Sequence, residues 1–219
     1  MRITLPSGTE AELAQPATPS GVGLVIAPDI YGLRPLFDDM AAWIAAEQGW
    51  TVCAVEPFPG ADLGPDVAVR FEAVAKKDDI ASLNDLLQGA AATGAERVGL
   101  IGFCMGGMYA FKAAGLGRFE RIVSFYGMIR LPESWRGEGQ AEPVDHLQKP
   151  GASPVLAIIG TEDTYTPPPD VDALEALPNV EVVRYDDAEH GFVHDASRPA
   201  HRADDAADAW RRCFEFLRS

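Results

Sequence analysis

Short apolar runs alternate with longer stretches of helical period along most of this chain. Residues 22–26 (Val-Gly-Leu-Val-Ile) and 50–55 (Trp-Thr-Val-Cys-Ala-Val) have almost no polar face, as in strands covered on both sides. Similar runs occupy residues 97–101, 121–125, 154–159 and 180–185. Between them, residues 38–48 read as a helix closed by Gly49. Residues 67–92 read as a long helical stretch broken once, with Leu83, Leu86 and Leu87 at helical spacing. Residues 106–115 form a further helical pattern, and 204–217 a terminal amphipathic one with Trp210, Phe214 and Leu217 on one side. Residues 2–5 and 11–14 suit an antiparallel hairpin at the sheet edge. The alternation predicts an α/β fold with a mostly parallel central sheet of about seven or eight strands, flanked by helices on both faces.

Residues 127–153 break the pattern, being rich in Gly, Pro and charge. Loops this long are uncommon unless they have a task. The segment reads as an excursion across the active edge of the sheet, with a helical turn near residues 144–148; a mobile surface loop fits equally. The length of 219 residues suits one domain, 1–219, able to bury its core without disulfides.

A composition of 47% hydrophobic and 23% charged residues is that of an ordinary globular protein. No run approaches the roughly 18 apolar residues a membrane helix needs, and residues 1–8 lack the apolar core of a signal peptide. Cys53, Cys104 and Cys213 cannot all pair with one another, which points to a reducing, cytoplasmic setting. The net charge of -15 argues against nucleic acid or an anionic membrane as partner. A small molecule is the expected partner, and the chain a monomer or homodimer.

The chemistry concentrates where the 97–101 strand runs into Gly102-Phe103-Cys104-Met105-Gly106-Gly107 and a helix follows. A sharp strand-to-helix turn lifts a nucleophile above a sheet, with cysteine here where serine commonly stands. The helix N-terminus favours thiolate, and the Met105 N–H is a natural oxyanion donor. On its own the motif fits a buried cysteine in a glycine-rich turn equally well. Asp163, however, follows the 154–159 strand, and His190 follows the 180–185 strand. Catalytic groups gather at the carboxyl ends of parallel strands, and nucleophile, acid, histidine is the chain order of α/β-hydrolases. Cys53 and Cys213 read as small core residues.

The chain resembles the dienelactone hydrolase family from about Val22 to the last helix. The likeness rests on Pro28-Asp29-Ile30-Tyr31-Gly32, on residues 102–107, on Gly160-Thr-Glu-Asp163 with Pro167, and on Glu189-His190-Gly-Phe192. The resemblance implies an α/β-hydrolase fold and lactone or ester cleavage by a Cys-His-Asp triad, without metal or organic cofactor. It implies Cys104 as nucleophile, His190 as base and later acid, and Asp163 as the group orienting the imidazole. The oxyanion would rest on the N–H groups of Met105 and Ile30. Asp29 stands where better-known members carry a glutamate that exchanges a proton with the thiol, and is one methylene shorter. His194 stands where the family carries an arginine for a substrate carboxylate. No arginine matches the family's other one in the shortened stretch 61–68, and Arg70 falls on the following helix. These departures weaken the expectation of a carboxylate-bearing substrate.

Tyr31, Phe103, Tyr126, Trp135, Tyr165 and Phe192 are either pocket walls or core aromatics. Three other functions stay open: a general esterase for small esters, a redox-sensing thiol without a resolving cysteine, and a non-catalytic binding protein.

Overall fold

Each apolar run becomes a strand. The computed structural model describes residues Met1–Ser219. Its strands are β1 (Arg2–Thr4), β2 (Glu10–Ala14), β3 (Val22–Ala27), β4 (Thr51–Val55), β5 (Arg97–Phe103), β6 (Ile122–Phe125), β7 (Val155–Gly160) and β8 (Val180–Tyr185). They form one eight-stranded sheet in the order β1-β2-β4-β3-β5-β6-β7-β8. β1 and β2 make the antiparallel edge hairpin, β2 pairs antiparallel with β4, and every later pairing is parallel. β3 lies between β4 and β5. The chain therefore builds outward from β3 first one way and then the other, and the loops after β3 and β5 diverge. That reversal opens a crevice at the carboxyl edge.

The helices are α1 (Pro35–Gln48), α2 (Val67–Val74), α3 (Asp79–Ala92), α4 (Met105–Ala113), α5 (Pro143–Leu147), α6 (Pro168–Glu175) and α7 (Ala203–Arg218). α1 and α7 meet on one face through Trp43, Trp210 and Phe214. α3 and α4 cover the other, and this double covering explains the nearly complete burial of β3 to β7. The expected break in residues 67–92 falls at 75–78, where the Asp78 side chain accepts the Ile80 N–H and starts α3. Gly49 closes α1 in the left-handed conformation, as its position predicted. α6 was hidden from pattern reading by Pro167, Pro168 and Pro169. At a helix start, however, the missing proline N–H costs nothing. No helix is long and apolar enough to cross a membrane.

Residues 127–153 pack against the body of the fold. Met128, Ile129, Leu131, Trp135, Val144 and Leu147 are buried, and Trp135 lies against Phe71 of α2 with ring centres 5.6 Å apart. The polar anchor is Lys112 of α4, which has no exposed side-chain area. Its Nζ donates to both oxygens of Asp79 (2.8 and 2.9 Å) and to Gln140 Oε1 (3.1 Å). Asp79 also accepts the Ala141 N–H at 2.8 Å and gives its own N–H to the Gly139 carbonyl at 2.9 Å. A single buried ion pair thus ties the excursion to the α2–α3 junction. Lys112→Met should leave the Asp79 charge buried and unpaired, costing about 3–5 kcal/mol in urea unfolding. Adding Asp79→Leu should recover part of that loss, because no orphaned charge then remains.

Candidate active site

β5 delivers Cys104 at φ 56° and ψ -118°, a backbone conformation side-chain-bearing residues seldom adopt. Two glycines make the turn possible. A Cβ on Gly102 would lie 2.1 Å from the Gly106 carbonyl oxygen, and one on Gly106 would lie 2.0 Å from the Ala27 oxygen. The Cys104 N–H is held by the Phe125 carbonyl at 3.0 Å, and the Cys104 carbonyl receives the Met108 N–H at 3.0 Å. The thiol is thereby fixed at the N-terminus of α4. Met105 opens that helix, so its N–H has no intrahelical partner. The Ile30 N–H, in the loop after the neighbouring strand β3, makes no hydrogen bond.

Asp163 follows β7 and is fully buried; His190 follows β8. Asp163 Oδ2 lies 2.8 Å from His190 Nδ1, while Oδ1 accepts the Tyr165 N–H at 2.9 Å. With the Nδ1–H donated to the carboxylate, Nε2 is turned to the thiol. Nε2 is buried and makes no hydrogen bond of ordinary geometry, and contacts between nucleophile and base are often loose until substrate binds. Burial by itself would lower the His190 pKa. The charge of Cys104 and the Asp163 carboxylate outweigh it and push the value up to about 10.

Cys104 and His190 share a cavity of about 140 Å3. A void of roughly 150 Å3 accommodates a benzene ring, so the site suits a small acyl group or lactone. Ile30, Val67, Phe71 and Met128 give it apolar walls, with Tyr31 and Tyr165 exposed at its margin. Larger clefts exist elsewhere but hold neither Cys104 nor His190.

Several expected contacts fall elsewhere. Phe103, Tyr126, Trp135 and Phe192 are core aromatics rather than pocket walls. Phe103 is stacked on Phe125 and on His194. His194 is buried with both ring nitrogens engaged, by Tyr126 Oη and by Asp29 Oδ2, so it offers no face to a substrate. Arg70 spends its donors on the carbonyls of Gly64 and Ile30 and lines a separate cleft, because α2 turns it away from the thiol. Asp29 makes no hydrogen bond to Cys104. Its oxygens are occupied by Arg34 (2.7 and 2.8 Å), His194 (2.8 Å) and the Tyr31 N–H (2.9 Å).

One residue was missed. Arg198 lines the cavity, and its guanidinium has no hydrogen bond or ion pair, although the chain carries 33 acidic residues. Its place in the loop of His190 was the available signal, but only the fold shows that this loop turns back over the cavity.

The model of the dienelactone hydrolase family matches residues 9–219. The chain belongs to the dienelactone hydrolase family. It is 30% identical to a carboxymethylenebutenolidase of Rhodococcus opacus over 91% of this chain and 82% of that protein. A carboxymethylenebutenolidase of Pseudomonas putida is 27% identical, over 94% and 89% of the two chains. A crystal structure of an α/β serine hydrolase without a lid, from Xanthomonas campestris, superposes with a TM-score of 0.66 at 21% identity, covering 100% and 95%. The fold is that of α/β-hydrolases, and family membership makes the chain a hydrolase of ester or lactone bonds.

The raised pKa of His190 has a sign that can be tested. A group with a folded pKa above its usual 6.5 adds stability that is complete below 6.5 and lost as pH rises through about 10. Imidazole nitrogen NMR should therefore find His190 still protonated well above pH 6.5. In Cys104→Ala its pKa should fall back toward the ordinary range, because the sulfur's charge is the largest factor raising it.

Proposed function

We propose that Cys104 is the nucleophile of a small-ester and enol-lactone hydrolase, with His190 as its proton carrier and Asp163 as the group that orients it. The observation that carries this reading is the shared cavity. There a thiol on a strained turn meets an imidazole whose far nitrogen is held by a buried carboxylate. The thiolate adds to the substrate carbonyl, and the negative oxygen is received by the N–H groups of Met105 and Ile30. The carbon–oxygen bond breaks, the alkoxide or enolate takes the proton from His190, and an acyl thioester remains on Cys104. A water then gives its proton to His190 and attacks the thioester, releasing the acid and restoring the thiolate. Cys53 and Cys213 are buried in the core, which disfavours a disulfide-forming role for Cys104. A thiolate of this kind works in a reducing compartment, here assigned as the cytoplasm.

Arg198 favours substrates with a carboxylate near the scissile bond. An unpaired guanidinium on the cavity wall can hold such a group by paired hydrogen bonds. It takes the part that neither His194 nor Arg70 is placed to play.

A panel of carboxylate-bearing enol lactones and neutral aryl esters tests both statements. Cys104→Ala should lose at least about 1,000-fold in turnover on every substrate while keeping its circular dichroism. Turnover near the wild-type rate in that variant would refute the nucleophile. Arg198→Met should raise KM for carboxylate-bearing substrates roughly 10- to 100-fold and leave neutral esters within about twofold.

A further inference from the structure

Directly beneath the proposed triad lies a second histidine–aspartate pair that the mechanism does not use. We propose that Tyr126, His194 and Asp29 form a buried hydrogen-bonded relay that positions the nucleophile turn, the His190 loop and the Ile30 amide relative to one another, and that Asp29 is not a proton partner of the thiol. The inference rests on Cys104 as nucleophile and adds three positioning residues to it.

The surroundings of the three groups assign a direction to each hydrogen bond in the relay. Burial opposes charge on Asp29, but the hydrogen bonds from His194 and Arg34 prevail and hold its carboxyl well below the usual range. An ionised carboxylate only accepts, so His194 Nε2 must carry the proton it donates to Oδ2 across 2.8 Å. Burial also keeps His194 neutral, lowering its pKa despite Asp29. Nδ1 is then a lone-pair acceptor, and the Tyr126 O–H donates to it at 2.5 Å. Tyr126 stays protonated because its burial raises the phenol pKa well above the ordinary value. The result is a one-way chain from phenol to imidazole to carboxylate, ending on the Arg34 fork. Both Asp29 oxygens are engaged in it, and the carboxylate has no role left as a base.

The relay joins the loops that carry the chemistry. Asp29 follows β3, and its Oδ1 accepts the Tyr31 N–H at 2.9 Å, closing the turn that presents the Ile30 amide. Tyr126, at φ 43°, comes directly after β6 and follows Phe125, the residue whose carbonyl holds the Cys104 N–H. Its ring meets that of His190 edge-on, with centres 5.2 Å apart. His194 shares the loop of His190, and its ring is stacked on Phe103, the residue before Cys104, at 4.9 Å and 26°. Phe37 of α1 stacks on it at 5.9 Å. One imidazole thus touches the supports of nucleophile, base and oxyanion donor. Misplacement of such groups by about 1 Å can cost around 100-fold in rate.

The test separates positioning from proton transfer. His194→Leu removes both hydrogen bonds of the imidazole. It should lower kcat roughly 10- to 100-fold with KM within about threefold, while the pH dependence of Cys104 alkylation by iodoacetamide stays in place. His194→Gln, whose amide can donate to Asp29 and accept from Tyr126, should recover most of that loss, which a mere packing role would not predict. Tyr126→Phe removes one oxygen and keeps the ring packing, so it decides the matter if His194→Leu fails to fold; kcat should fall about tenfold. The relay is refuted if kcat stays at the wild-type value in His194→Leu, or in Tyr126→Phe where that decides. A shift of the alkylation profile in Asp29→Asn would instead make Asp29 the thiol's proton partner. Failure of the nucleophile assignment shows separately, as turnover in Cys104→Ala.

Discussion

The backbone at Cys104 is the constraint to which the rest of the site answers. A residue with a side chain occupies a left-handed conformation because Gly102 and Gly106 let the turn close against the Ala27 carbonyl and against itself. Such strain, of order 1–3 kcal/mol, persists only where the surroundings over-determine it. Here β5 is paired on both sides, the Phe125 carbonyl holds the Cys104 N–H, and α4 begins at once. The conformation that strains the chain also exposes the sulfur to the cavity and leaves the Met105 N–H unpaired.

The pKa values of two histidines four residues apart are pushed in opposite directions, and the difference lies in what faces them. His190 has Asp163 on one side and the Cys104 sulfur on the other, so burial is outweighed and the ring keeps its proton. His194 also has a carboxylate partner, but Arg34 already neutralises Asp29 and Arg198 adds further positive charge nearby, so burial prevails. In the proposed mechanism one ring carries protons and the other positions the loops. A chain of net charge -15 can still present a cationic cavity wall, because Arg198 has no acidic partner within ion-pair distance.

The wall opposite the triad depends on a segment without local regularity. Residues 127–153 supply Met128 to the cavity and Trp135 to the packing of Phe71, and the same segment is tied at residues 139–141 to the Lys112–Asp79 pair.

Apart from α6, the strand and helix pattern was legible from the sequence, as were the elbow at 102–107 and the order Cys104, Asp163, His190. These features are local: apolar period sets burial, glycine spacing sets a turn, and parallel strands place their following loops on one edge. The pairing of Asp29, His194 and Tyr126, and the place of an unpaired Arg198 on the cavity wall, were not legible. The His194 contacts with Tyr126 and Asp29 join loops far apart in the chain, and their outcome turns on which groups saturate one another after the sheet brings them together. The shortness of Asp29 left its reach to the thiol open, and only the fold shows its oxygens occupied by Arg34 of its own loop and by His194 from the loop after β8. The glycine-rich turn could be read from six residues; the cavity it faces required the whole fold.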